Sequence, residues 1–277
     1  MKKDLASLYG KGVEPRSYLP GFGVFEREVR RFFRVPAQTL GSPLGTSLLY
    51  FVVFYFSIGK TLASSPQGQK ALSLGLSYIL FLIPGVMAME VINASFQNPV
   101  SSIMQSKWMG TIVDQLMAPL DAFSMWAAYV GGAVVRALIV TVATYVAGSL
   151  FAQDFVMHNV FLLALAAVLA TGMFASLGII TGVMCKSFDQ VGMVGSFILQ
   201  PLVFLSGVFF SLSNLPPHLA FLPYLNPVFY IVNMFRHAVL GVGDASLFTS
   251  FGAAFVFFVV LSLLALSVIR KGIGMRV

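Results

Sequence analysis

Long apolar stretches are the feature that most constrains this chain. Five of them run for about 20 residues, which is the length that an α-helix needs to cross a bilayer. They are Leu74–Phe96, Ser124–Ala147, Val160–Cys185, Val191–Phe210 and Phe251–Ile269. A sixth stretch, Leu40–Ile58, begins with glycine and proline, which spanning helices tolerate, and ends in an unbroken apolar run. We therefore predict six transmembrane helices at about residues 40–58, 74–96, 124–147, 160–185, 191–210 and 251–269.

The composition favours the same class of protein. Of the 277 residues, 58% are hydrophobic and only 10% are charged, whereas a soluble domain carries roughly 25% charged residues. This number of charges is too small to cover the surface of a globular protein in water. Together with the predicted spans, it indicates an all-α membrane protein. We divide it into a cytoplasmic tail with an interfacial helix, residues 1–37, and a transmembrane domain, residues 38–277. The single cysteine, Cys185, excludes an intrachain disulfide, and the histidines show no metal-ligand spacing.

The distribution of Lys and Arg predicts the orientation. Thirteen of the 17 lie in the N-terminal tail, the C-terminal tail and the loops after the second and fourth spans, all on one side of the membrane. Cytoplasmic loops carry such an excess, so both termini are predicted to be cytoplasmic, as an even number of spans requires. The net charge of +7 therefore reflects topology and attraction to anionic lipids, and we expect no nucleic-acid partner.

The segment Phe22–Arg34 has the pattern of an amphipathic helix lying at the cytoplasmic membrane interface. Its apolar face includes Phe25, Val29 and Phe32, and its charged residues include Glu26 and Arg30.

A second unusual segment, residues 211–250, is apolar although the predicted topology places it outside the membrane. Prolines divide it into pieces too short to span, and a seventh span would bury Arg236. We predict short re-entrant helices between spans five and six that cap the outer end. The candidate cap residues are Pro216, Pro217, Asn226, Pro227 and Arg236. The pattern leaves open whether this cap is a gate or a rigid structure.

Two charged residues, Glu90 and Arg136, lie well within predicted spans. Such residues are costly in a membrane and often functional. Beside a functional role such as a proton or sodium relay, two structural alternatives stay open: an ion pair, or separate groups facing a hydrated cleft. The small residues Gly178 and Gly182 allow close helix approach, within one protomer or between subunits.

We find no pattern of an enzyme in the chain. The tripeptide Gly59-Lys60-Thr61 ends like a phosphate-binding loop, but Phe54 stands where that motif requires glycine. No serine-hydrolase, zinc-protease or paired-carboxylate motif is present. We therefore expect no catalytic residues, no metal site and no cofactor in this chain.

The predicted cytoplasmic loop Gln97–Pro119 contains an amphipathic segment that ends at proline. A short helix of this kind docks on lipid or in the groove of a partner.

Several segments resemble, in their order along the chain, the permeases of type-2 ABC exporters, the ABC-2 type transporter family. They are Gly110–Leu120, Tyr129–Arg136, Lys186–Gln190, Phe204–Pro217 and Leu225–Tyr230. The likeness extends from about Phe25 to the C-terminus. At one point the chain departs from the family, because Trp108 and Met109 stand where many members carry charges.

The resemblance implies a homodimer of six-helix subunits in the bacterial inner (cytoplasmic) membrane. It implies two copies of a cytoplasmic ABC ATPase, which bind ATP and Mg, and a coupling helix that docks on them. The implied coupling residues are Gly110, Thr111, Ile112, Asp114, Gln115 and Leu116.

The function that the resemblance implies is export of a hydrophobic, lipid-linked or drug-like substrate from the cytoplasm or inner leaflet. One alternative is a secondary transporter or channel not coupled to ATP, which should show internal repeats and more buried charges. Another is a membrane-embedded enzyme, for which the chain has no catalytic constellation.

Overall fold

A computed structural model describes residues 21–63, 78–112, 120–152, 157–209 and 221–272. All regular structure in these ranges is helical. The helices are α1 (Phe22–Arg34), α2 (Ser42–Ala63), α3 (Tyr78–Trp108), α4 (Ala122–Ser149), α5 (Val160–Met184), α6 (Phe188–Val194), α7 (Gln200–Phe204), α8 (Pro227–Leu240) and α9 (Leu247–Lys271). Short π-helical segments, Ala37–Gly41 and Gly195–Leu199, precede α2 and join α6 to α7, and a 3₁₀ turn, Leu222–Leu225, precedes α8.

Five helical segments within the described ranges are long and apolar enough to cross a membrane. They are Thr39–Phe56, which runs into α2, together with α3, α4, α5 and α9. The predicted all-α membrane class is therefore confirmed. These helices form one bundle in which α3 packs against α2, α4, α5 and α8.

The predicted fifth span, Val191–Phe210, differs from the helix observed there. The apolar helical segment is Phe188–Phe204, about 25 Å long at about 1.5 Å per residue. It widens into the π-helical segment Gly195–Leu199 just before Pro201, whose nitrogen has no hydrogen to donate to the preceding turn. Residues 205–209 then form turns, so the segment is shorter than predicted.

The close packing of α3 and α5 depends on glycines. A Cβ atom added at Gly178 of α5 would lie 2.4 Å from the carbonyl oxygen of Phe96, and one at Gly182 would lie 3.3 Å from Val100 Cα. A side chain at Gly178 would force the helices apart, and one at Gly182 would require its neighbours to shift by a few tenths of an ångström. The two small residues therefore serve packing within one protomer.

Helix α3 continues beyond Phe96 to Trp108, so the prediction of a loop beginning at Gln97 was wrong for residues 97–108. Val100, Ile103 and Met104 extend the buried face of the helix and pack in the core. This packing holds the segment helical although Pro99 lies within it. The loop begins at Met109.

Side-chain caps define where several helices begin. The carboxylate of Asp121 accepts a hydrogen bond from the Ser124 backbone N–H at the start of α4, and Asn159 accepts one from Leu162 at the start of α5. The Ser124 hydroxyl also donates to Asp121, which lowers the pKa of that exposed carboxyl. Such caps satisfy backbone donors that the first turn of a helix leaves free.

Candidate functional site

A stripe of polar side chains runs along one face of α3. Glu90, Asn93, Gln97, Ser101 and Gln105 recur every three or four residues, which places them on the same side of a helix. All five line a cavity of about 630 Å³. The cavity reaches Trp108, about 27 Å along the helix axis from Glu90 at about 1.5 Å per residue. We call this cavity the polar cleft.

The other walls of the polar cleft come from four separate parts of the chain. Helix α1 contributes Arg31 and Phe32, the start of α2 contributes Ser42, α4 contributes Arg136 and α6 contributes Phe188. A polar surface of this length within an apolar bundle is stable only against water, protein or a polar ligand. The cleft is therefore the main candidate for a functional site.

Glu90 and Arg136 both line the polar cleft, but they do not pair with each other. The ion pairs found among the described residues join other side chains. Glu90 is 5% exposed, and its Oε1 atom has no hydrogen-bond partner there, nor has Nε of Arg136. Of the two alternatives that the sequence left open, the geometry supports separate groups facing a cleft.

The sequence interpretation missed a buried carboxylate, Glu28. It is 1% exposed, accepts a hydrogen bond of 2.5 Å from Ser102 Oγ, and forms ion pairs of 3.1 Å with Arg27 and 3.0 Å with Arg31. A Cβ atom at Gly132 of α4 would lie 2.6 Å from the Glu28 side chain, so the absence of one permits this approach. The sequence did contain a sign of this burial, because Glu28 lies within the apolar stripe of α1.

Arg31 connects α1 to α3 at the wall of the polar cleft. Its guanidinium donates to Ser101 Oγ at 2.8 Å and to the backbone carbonyl of Asn98 at 2.6 Å. It also donates to the side-chain oxygen of Asn98 at 3.2 Å. These bonds and the Glu28 contacts hold α1 against the bundle.

The predicted residues of the interfacial helix occupy two sides of α1. Phe32 is buried, Val29 is half-buried, and the ring of Phe25 lies 3.2 Å from where a Cβ at Gly131 of α4 would stand. Glu26 and Arg30 form an ion pair on the exposed side. The apolar face of α1 thus packs on protein.

Part of the predicted coupling segment is described. Gly110 has a φ of +73° and Thr111 is exposed, while its hydroxyl lies 3.5 Å from the Ser106 carbonyl oxygen. Ile112 is 1% exposed and packs in a cluster with Tyr129 and Val183. Asp114, Gln115 and Leu116 lie outside the described residues.

The predicted cap residues that are described lie at α8. Asn226 caps this helix at the backbone N–H of Val228 and donates to the carbonyl of Leu202, at 2.9 and 2.5 Å. Pro227 is its first residue. The helix is about 21 Å long at about 1.5 Å per residue, less than the ~30 Å of a hydrocarbon core. Pro216 and Pro217 lie outside the described residues.

Arg236 of α8 is buried, and both of its terminal nitrogens donate hydrogen bonds. It is 2% exposed, and its guanidinium lies 2.5 Å from the Asp244 carboxylate and 3.9 Å from the centre of the Phe81 ring. It also donates to the carbonyl of Gly207. One guanidinium therefore joins α8 to α3 and to the segments beside Gly207 and Asp244.

The fold and the cleft define a multi-pass helical membrane protein with a long polar cavity inside its bundle. The model of the ABC-2 type transporter family matches residues 22–240. The chain belongs to this family, and the resemblance seen in the sequence is confirmed.

Three known relatives match over nearly their full length. Inner membrane transport permease YadH of Escherichia coli (strain K12) is 38% identical over 253 residues, which cover 91% of this chain and 95% of that protein. Nodulation protein J of Rhizobium leguminosarum bv. viciae is 23% identical over 245 residues, covering 87% and 92% respectively. Nodulation protein J of Neorhizobium galegae is 23% identical over 265 residues, covering 93% and 95%.

Proposed function

We propose that this chain is the permease subunit of an ATP-driven exporter in the bacterial inner membrane, and that the polar cleft is part of its transport pathway. The observation that carries the proposal is the polar stripe of α3 from Glu90 to Gln105, which lines a long cavity within an apolar bundle. The family of the chain and the name of its Escherichia coli relative, an inner membrane transport permease, support it.

The predicted orientation gives the cleft a direction. With both termini inside, the Trp108 end of α3 is cytoplasmic and Glu90 lies deeper in the bundle. The cleft is then the half of the pathway that is open to the cytoplasm. ATP binding on a partner would shift the permease toward a state open to the other side, because a ligand favours the conformation that it binds better.

The proposed energy source is a separate ABC ATPase that holds ATP and Mg. Gly59, Lys60 and Thr61 lie inside α2, where a helical backbone replaces the loop that binds phosphate. We propose that the turn at Gly110 and Thr111 belongs to the surface that docks on the ATPase, and that buried Ile112 anchors this turn.

The proposed assembly is a homodimer with two ATPase copies, and each permease subunit has six spans. The segment from α6 through α7 and residues 205–209 would form the fifth crossing, and α8 would be a re-entrant cap. We place the subunit contact at α2 and α6–α7, whose exposed side chains Phe56 and Phe197 (63% and 76%) would face lipid in one protomer and the partner in a dimer. The proposed substrate is hydrophobic, lipid-linked or drug-like.

The test is purification of the tagged permease from native membranes under mild conditions. We expect an untagged ABC ATPase, encoded beside this chain, to co-purify in equal amount and to hydrolyse ATP. A matched sample in which the catalytic glutamate of that ATPase is replaced should retain the complex and lose hydrolysis. Recovery of the intact permease dimer without any ATPase would reject the proposal in favour of a transporter not coupled to ATP.

A further inference from the structure

Four buried polar atoms in the polar cleft have no hydrogen-bond partner among the described residues. Three are N–H donors, Arg31 Nε, Asn98 Nδ2 and Arg136 Nε, and one is an acceptor, Glu90 Oε1. All four side chains line the same cavity. A buried polar group without a partner costs about 1–3 kcal/mol, so water or a polar ligand in the cleft, toward which these side chains turn, would stabilise the folded protein.

The charges of the cleft narrow the choice of occupant. Arg31 and Arg136 both line the cleft, so an anion bound there would be attracted to two positive charges. Glu28 partly offsets the charge of Arg31 through their ion pair, whereas Arg136 has no carboxylate partner among the described ion pairs. Glu90 supplies the only carboxylate among the described residues that line the cleft.

We propose that the polar cleft binds a zwitterionic group composed of a phosphate diester and a primary amine. This inference rests on the proposed transport function, in which the group would be the polar end of the substrate. The phosphate oxygens would accept from Arg31, Asn98 and Arg136, because a phosphate offers several acceptors to guanidinium and amide donors. The ammonium would donate to Glu90, a contact that a quaternary amine without N–H cannot make.

The first test uses the purified permease without its ATPase, and native mass spectrometry of the lipids that it retains. We expect phosphatidylethanolamine to be retained in preference to phosphatidylglycerol, which lacks the amine, and to phosphatidylcholine, which lacks an N–H. Glu90→Gln should weaken binding of phosphatidylethanolamine about tenfold, the cost of one charge-assisted hydrogen bond, and leave phosphatidylglycerol unchanged. Arg136→Gln should weaken both.

Glu26→Gln is the matched control, because this exposed carboxylate pairs with Arg30 and does not line the cleft. The same phosphate and amine could belong to a lipid headgroup or to a small water-soluble molecule. Titration with soluble glycerophosphoethanolamine distinguishes these two kinds of ligand. If the soluble compound displaces the lipid at a concentration similar to that of the lipid, the natural ligand is water-soluble. If it does not displace the lipid, the ligand is a lipid headgroup.

The lipid preference of the unchanged protein is informative even if a variant does not fold. Equal retention of the three lipids by that protein would overturn the inference, as would an amine preference that survives in folded Glu90→Gln. Because the ATPase is absent from this assay, such a result would leave the co-purification test untouched. Conversely, a failure to recover the ATPase would not alter the lipid measurement.

Discussion

Glu28 of α1 and Ser102 of α3, 74 positions apart in the chain, are joined by a hydrogen bond of 2.5 Å. The carboxylate that accepts this bond is almost fully buried and also pairs with Arg27 and Arg31. An amphipathic helix at a membrane surface needs only an apolar face, whereas α1 also has a specific polar attachment to the bundle. That attachment lies beside the polar cleft, since Arg31 belongs to both.

Replacement of Glu28 by alanine should loosen α1. It removes one acceptor from each of Arg27, Arg31 and Ser102, which costs about 1–3 kcal/mol; the partial exposure of both arginines and the other acceptors that they contact limit the loss. Thermal unfolding in detergent, followed by tryptophan fluorescence, should show a lower midpoint. Glu26→Ala is the control, because an exposed ion pair contributes only about 0–1 kcal/mol. Equal midpoints for the two variants would contradict a structural role for Glu28.

The apolar face of α1 gives a second prediction. Phe25→Asp combined with Phe32→Asp should detach the helix, because each apolar side chain contributes about 1.5–3 kcal/mol when fully buried. A cysteine at Val29, in a background without Cys185, should then react faster with a water-soluble thiol reagent.

The matched control for this prediction combines Phe22→Asp with Phe33→Asp, since these rings are 43% and 61% exposed. We expect little change in its labelling. If the control detaches the helix and the first pair does not, lipid rather than the protein bundle holds α1 in place.

The turn at Gly110 gives a prediction about coupling. Gly110 has a φ of +73°, which proline cannot adopt because its ring holds φ near about −65°. Gly110→Pro should therefore distort the turn and reduce recovery of the ATPase and transport-linked ATP hydrolysis, while membrane insertion persists. Gly110→Asn should retain both, because asparagine tolerates positive φ. Unchanged recovery with the proline variant would remove this turn from the docking surface.

Arg236 and Asp244 give a prediction about stability. Arg236→Met removes the cation that contacts the mostly buried Asp244 carboxylate, at a cost of about 3 kcal/mol. The double variant with Asp244→Asn should be less destabilised than the single one, because a neutral amide does not require that cation. The thermal midpoints of the two single variants and the double variant, compared with that of the unchanged protein, form a double-mutant cycle. Additive effects would show that the two side chains are not coupled.

The predicted orientation is tested by labelling of introduced cysteines. Ser17→Cys should be protected from an impermeant thiol reagent in intact cells, and Lys70→Cys should react, in a background without Cys185. Lysed cells provide the control, in which both positions should label. Labelling of Ser17→Cys alone in intact cells would reverse the topology and the direction assigned to the cleft.

The helices that were predicted well are those whose limits follow from apolar length. The span predicted at residues 124–147 is observed as Ala122–Ser149, and that at 160–185 as Val160–Met184. Predictions were wrong where packing overrides a local signal. A loop was predicted from Gln97 onward, yet α3 continues through Pro99 because its opposite face remains buried against α5.

The sequence by itself determined the class of protein, most of the spanning helices, the amphipathic α1 and the family, because these depend on apolar length, periodicity and ordered motifs. Only the tertiary structure decided that Arg31, Glu90 and Arg136 line one cleft without Glu90 and Arg136 pairing, and that Glu28 is buried. These residues come from three helices, and the rotation and relative height of each helix depend on how distant side chains pack. Close approaches at Gly132, Gly178 and Gly182 set those positions, and no local pattern in the chain encodes which partner each glycine will meet.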